Sequence, residues 1–111
     1  MVANPTHLFQ VFSNLIGNAV KHNDSDRPVI EIRSLGARRD AHRYLVRDNG
    51  SGIPAEDLEK IFIPFFKGRP GSTGIGLSTV ENILSVYGGS IRAYNDEGAC
   101  FEFLIRDFIP E

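Results

Sequence analysis

The chain has 111 residues and a formal net charge of −2 at pH 7, enough for one two-layer core and too short for two. A mildly acidic domain offers no overall attraction to nucleic acid or to an anionic membrane surface, so any anion it binds must be caught by a local site. The lone Cys100 argues against a disulfide framework or a zinc site and reads as a buried thiol.

The opening residues lack the charged and apolar regions of a signal peptide, and no apolar run is of bilayer-spanning length. A cytoplasmic setting with no direct membrane contact is the expectation. The Asn-x-Ser triplets at Asn23 and Asn49 carry no weight in such a chain.

Asn4-Pro5 reads as a helix cap followed by proline at the first helical position. Leu8, Val11, Phe12, Leu15 and Ala19 then recur with a helical period, which predicts a helix of roughly 16 residues. The polar cluster 22–26 ends it. Alternation predicts a strand over 29–34, a turn around 35–41 and a second strand over 42–47. Asp48-Asn49-Gly50-Ser51-Gly52 is turn-forming, and Pro54 with Glu56 and Asp57 predicts a short second helix ending near Phe62. A glycine- and proline-rich loop follows from about Lys67 to Gly76. Leu77, Val80, Ile83, Leu84 and Tyr87 mark a third amphipathic helix, stopped by Gly88-Gly89. Strands over 90–95 and 100–106 close the chain around the turn 96–98. Residues 1–111 are thus expected to form one α/β (α+β) two-layer sandwich, a mixed sheet with about three helices on one face.

Several polar groups sit where a mere core has no use for them. Asn14, Asn18 and Lys21, at spacings of four and three, share one face of the first helix. A solvated face is the plain explanation, but asparagines are poor helix formers, and amide oxygens beside a lysine suit a hydrated Mg²⁺ and phosphates. Asp48 at a strand end can accept from an exocyclic amine, while the glycines after it let backbone approach a flat ring. Gly74-Ile75-Gly76-Leu77 before a helix can cradle an anion on free N–H groups. Thr79 stands where a dinucleotide fingerprint has its third glycine, and no Gly-Lys-Ser/Thr is present, which disfavours both common nucleotide folds. Lys67 and Arg69 lie within reach of a phosphate on the glycine loop, in a segment suited to a lid.

In this order the segments resemble the GHKL superfamily of ATP-binding domains and, within it, the sensor histidine kinases. Residues 12–22 are similar to the family's asparagine box, 47–54 to its first glycine box, 61–66 to its phenylalanine box and 74–78 to its second glycine box. The stretches 87–91 and 98–103 also match, so the resemblance covers nearly the whole chain. It implies the Bergerat fold, with ATP and Mg²⁺ as cofactors. Asp48 would bind the adenine amine with Gly50, Gly52 and Ile53 beside it, and Phe62 would belong to the same site. Asn14 and Asn18 would organise Mg²⁺, Asn14 and Lys21 would act on the phosphates, and His22 would lie beside the adenine. Gly74, Gly76 and Leu77 would form the phosphate-facing turn, with Lys67 and Arg69 above it. The γ-phosphoryl group would go to a histidine by positioning and charge neutralisation.

Three departures from the family's pattern matter. Asn14 stands where related ATPases place a glutamate, and an amide cannot serve as a general base for water, which favours a kinase over a hydrolase. Only seven residues, Lys67 to Thr73, separate Phe66 from Gly74, a short lid like that of nitrogen-regulation-type kinases. Ala99 replaces a common threonine near the nucleotide. His7, His22 and His42 all lack the family's histidine-box surroundings. The acceptor is therefore expected on a separate dimerisation and histidine phosphotransfer domain of the parent kinase, with a response-regulator receiver domain as the next partner. Phe65 and Phe66 are candidates for the docking surface. The alternatives are a serine kinase or ATPase of the same fold, and a degenerate nucleotide-binding interaction module.

Overall fold

A computed structural model describes residues 2–64, 66 and 76–107. Helix α1, Pro5–His22, begins where the Asn4 side chain accepts a hydrogen bond from the Thr6 N–H at 2.8 Å, satisfying one of the donors that a helix start leaves unpaired. Val11, Leu15 and Ala19 form its buried stripe, and Lys21 and His22 in its last turn complement the helix dipole.

Strands β1, Ile30–Arg38, and β2, Ala41–Asp48, form a hairpin whose loop is only Arg39-Asp40. The broad turn expected over 35–41 is replaced by paired strand. A bulge between Ser34 and Gly36, with Gly36 at φ 101°, absorbs the irregular Leu35-Gly36-Ala37 stretch without ending the ladder.

The short second helix expected from Pro54 to Phe62 is reduced to a single 3-10 turn, Ala55–Asp57, followed by further tight turns. The Asp57 N–H bonds Pro54 O and the Lys60 N–H bonds Asp57 O, a turn-by-turn pattern in a stretch too short to repay helix nucleation. Helix α2, Gly76–Val86, buries Ser78, Val80 and Leu84. It ends with Gly88 at φ 64° and the Gly89 N–H bonded to Leu84 O at 2.8 Å, the glycine-dependent helix stop read from the sequence. Strands β3, Ser90–Asn95, and β4, Ala99–Arg106, follow within a residue of their expected limits.

The sheet runs β1-β2-β4-β3. Its three described pairings are all antiparallel, where a mixed sheet was expected. Tight turns make β1–β2 and β3–β4 hairpins, and β4 runs antiparallel to β2, joining the hairpins at the middle. Among the described residues two α-helices, rather than three, cover one face. Val46, Phe101, Phe103 and Ile105 point from the sheet into a core with Val11, Leu15, Val80 and Leu84, the layering the sequence implied. No helix among the described residues is long and apolar enough to cross a membrane.

The opposite face of β4 carries Cys100 and Glu102, both buried. Burial pushes the Cys100 thiol above its ordinary value, so it is an inert packing group. Burial alone would raise the Glu102 carboxyl as well. Hydrogen bonds and charge from Arg92 on β3 and Arg43 on β2 outweigh it and hold the group below its ordinary 4.5. A depressed carboxyl contributes stability that is present above pH 4.5 and lost as pH falls through the lower folded value. Both arginines are more than half exposed, so the net effect is modest. Glu102→Gln is expected to cost about 1 kcal/mol at neutral pH, with the difference from wild type closing under acid in denaturant titrations. A deficit that persists unchanged at low pH would contradict this account.

Candidate functional site

One cavity of about 270 Å³ lies between α1 and the start of α2, lined by Ser13, Asn14, Gly17, Asn18, Lys21, His22, Ile61, Phe66, Gly76 and Leu77. Its polar wall is the face of α1 that flanks the buried stripe. Helical spacing aligns Asn14, Asn18 and Lys21 there, while Val11, Leu15 and Ala19 anchor the helix behind them. Its other wall begins at Gly76, the first residue of α2, where an added Cβ would come within 3.2 Å of Asn14 Oδ1. A side chain there would narrow the space between the two helices.

Asn18 supplies the most informative atom. Its Nδ2 is buried and has no hydrogen-bond partner among the described residues. A donor left so costs roughly 1–3 kcal/mol, and the residue that carries it lines the cavity.

Asp48 stands at the end of β2 and is 3% exposed. Its Oδ1 accepts from the Gly50 N–H at 2.8 Å and from the Ala99 N–H at 3.2 Å, so one carboxylate oxygen ties the turn to the start of β4. Gly98, at φ 137°, passes so close to the Asp48 carbonyl that a Cβ there would overlap it. Gly52, at φ 89°, also needs the left-handed region.

Asp48, Gly50, Gly52, Ile53 and Phe62 do not line the cavity. Asp24 closes over the turn, its Oδ1 accepting from the Ser51 N–H at 2.8 Å and lying 3.1 Å from where a Gly50 Cβ would be. Ile53 is buried in the core, and Phe62 meets Phe101 edge-on at 6.5 Å. The structure thus brings together Asn14, Asn18, Lys21, His22, Gly76 and Leu77, and sets the Asp48 group beside them, past the end of α1. Lys67, Arg69 and Gly74 fall outside the described residues. Phe66 is half-buried, packs against the core and lines the cavity, which corrects its expected place on an exposed docking surface. Phe65 falls outside the described residues.

The sequence marks Asn49 only as part of a turn and of the first glycine box. Its Oδ1 accepts from the Val29 N–H at 2.8 Å and from Asn23 Nδ2 at 2.9 Å, and its Nδ2 donates to Arg27 O at 2.9 Å. These bonds fasten the α1–β1 connection to the Asp48 turn. The other two histidines are occupied far from the cavity: His7 Nδ1 lies 2.7 Å from the Tyr87 hydroxyl, and His42 Nε2 lies 2.9 Å from Asp107 Oδ1.

Residues 3–108 match the family described as histidine kinase-, DNA gyrase B- and HSP90-like ATPase. The chain belongs to that family. It is 36% identical over 109 residues to the sensor histidine kinase RcsC of Escherichia coli strain K12, covering 93% of this chain and 11% of RcsC. It is likewise 36% identical over 103 residues to the sensor histidine kinase ZraS of Salmonella typhimurium, covering 93% of this chain and 22% of ZraS. The chain therefore spans between a tenth and a quarter of the length of these relatives. The nucleotide-free catalytic domain of histidine kinase ThkA superposes with a TM-score of 0.82 at 36% identity, over 95% of this chain and 69% of that one. A mycobacterial sensor histidine kinase, MprB, shares the fold with a TM-score of 0.82 at 22% identity, over 94% of this chain and 72% of that one.

In this member of the ATPase-like family the unpartnered Asn18 amide has a measurable consequence. Asn18→Ala removes a buried donor without a partner and replaces a poor helix former with the best one. The ligand-free variant is expected to be at least as stable as wild type, by up to about 1 kcal/mol. Thermal and denaturant unfolding check this, and a loss of about 2 kcal/mol would mean the amide is satisfied in the folded protein.

Proposed function

We propose that this domain binds Mg-ATP and donates the γ-phosphoryl group to a histidine on the dimerisation domain of a two-component sensor kinase, from which a receiver domain would take it. The observation that carries the reading is the grouping of Asn14, Asn18 and Lys21 in one cavity wall with Gly76, where the Asn18 amide donor is buried without a partner among the described residues. Membership of a family described as ATPases and likeness to sensor histidine kinases support it.

The residues fit a magnesium nucleotide. Among the described residues there is no group of three acidic, histidine or cysteine side chains to hold a bare metal. Two neutral amides suit instead an ion that arrives with phosphates and keeps its waters. Asn14 and Asn18 would hold it, and when bound it supplies neutralisation of the charge that develops on the phosphates. Lys21 adds a second positive charge on the same face of α1. Gly76 and Leu77 at the start of α2 line the same cavity, and free N–H groups at a helix start would favour anionic oxygens there.

Asp48 would receive the exocyclic amine of the base. Its Oδ1 is taken by two backbone N–H groups, which fixes the carboxylate and leaves Oδ2 for the ligand. His22, Gly50, Gly52, Ile53 and Phe62 would border the base, and Lys67, Arg69, Gly74 and Leu77 the phosphate side. The side chain at position 14 is an amide, and no proton is taken from water by an amide. Phosphoryl transfer to an acceptor brought in by another domain is thereby favoured over hydrolysis. In this reading the domain works in the cytoplasm and catalysis rests on positioning and charge.

Asp48→Asn tests the adenine half cleanly. The amide oxygen still accepts from Gly50 and Ala99, while Nδ2 now confronts the ligand's amine with a donor. Calorimetric titration with Mg²⁺ and a non-hydrolysable ATP analogue is expected to give wild-type binding on the order of −7 to −8 kcal/mol. The folded Asp48→Asn variant should lose most of it. Equal affinities for the two proteins would contradict the assignment of Asp48.

A further inference from the structure

The segment from Asp48 to Ile53 has to be held in one shape if it is to present a carboxylate and a glycine backbone to a base. Its first residue is fixed by the Ala99 N–H. Its last is held by a side chain that sequence reasoning did not single out. Asn95, the final residue of β3, accepts from the Ile53 N–H through Oδ1 at 2.8 Å and donates from Nδ2 to Ile53 O at 2.8 Å. One amide thus satisfies both backbone polar groups of a residue 42 positions away, as a neighbouring strand would.

The contact also restricts Gly52. A Cβ on that residue would lie 2.6 Å from Asn95 Oδ1, and Gly52 already has φ 89°. Asn95 and Gly52 therefore determine each other: the amide occupies the space that a side chain would fill, and the glycine's backbone shape delivers Ile53 to the amide. Asn95 and Ala99 are register partners across the β3–β4 hairpin. Both ends of the Asp48–Ile53 segment are consequently pinned to the same hairpin end, on the two sides of a tight turn whose Gly98 admits no side chain.

We infer that Asn95 is a positioning residue for base recognition, which holds Gly50 to Ile53 so that Asp48 and the adjacent backbone meet the adenine ring in one geometry. The inference rests on the reading of Asp48 as the adenine acceptor and goes beyond it. Asn95 touches no ligand in this scheme and acts through Ile53 and Gly52. Its loss should therefore reduce discrimination between bases more than it reduces grip on the triphosphate, which is contacted from α1 and α2.

The test compares the affinities of ATP and inosine triphosphate, with Mg²⁺ and no acceptor, for wild type, Asn95→Ala and Asn95→Asp. Inosine triphosphate lacks the exocyclic amine. Wild type is expected to prefer ATP. Loss of two neutral hydrogen bonds in Asn95→Ala should cut that preference about tenfold, with inosine triphosphate affinity nearly unchanged. Asn95→Asp keeps the acceptor for the Ile53 N–H and should fall between the two. If Asn95→Ala does not fold, the comparison of Asn95→Asp with wild type decides in the same way. An unchanged preference in the variants, or equal losses for both nucleotides, overturns the inference and leaves the Asp48 reading standing. A wild type with no preference for ATP overturns the Asp48 reading and this inference with it.

Discussion

The Asp48 carboxylate is the joint on which the rest of the site hangs. It is almost wholly buried, and a carboxylate in that position is tolerable only when it is hydrogen-bonded. Two backbone N–H groups meet that need, one from the turn that follows it and one from the start of β4. The pairing makes the turn part of the sheet. It also requires Gly98, because β4 starts so close to the Asp48 carbonyl that a side chain there would collide with it.

Around that joint the fold divides its work between two rigid parts. The sheet, with Phe101, Phe103 and Ile105 packed beneath the helices, carries the Asp48 turn on its central strand pair. Helix α1, anchored by Val11, Leu15 and Ala19, carries the asparagines and Lys21 on the adjoining face. Asn49 and Asp24 lash the end of α1 to the Asp48 turn, so the parts meet in a fixed relation. Asn18, whose Nδ2 is buried and has no partner among the described residues, lines the cavity between the two helices. In the proposed function the base belongs to the first part and the phosphates to the second.

Much of this was legible in the sequence because local signals and burial agreed. Asn4-Pro5 and Gly88-Gly89 bound their helices because caps act over one turn, and the closing strands alternate because one face is buried. Asn14, Asn18 and Lys21 could be placed on one face from spacing alone. The failures have physical causes too. Acidic residues after Pro54 resemble a helix start, yet the stretch is too short to nucleate, and the chain makes a single 3-10 turn. Gly36 resembles a turn and is a bulge within a continuing ladder. Phe66 resembles a surface aromatic and is packed inward. Asn49 and Asn95 escaped notice because their partners lie 20 and 42 residues away. Lone asparagines near turns carry no periodic signal, so only the fold shows what they hold.

The proposal that the domain is a phosphoryl donor to histidine is tested most directly by incubating it with γ-phosphate-labelled ATP and Mg²⁺, alone and with the histidine-bearing dimerisation domain of its parent kinase. The account predicts acid-labile, base-stable label on a histidine of the dimerisation domain and none on this chain. Label on His7, His22 or His42 of the domain alone, label on serine, or release of free phosphate without transfer would contradict it.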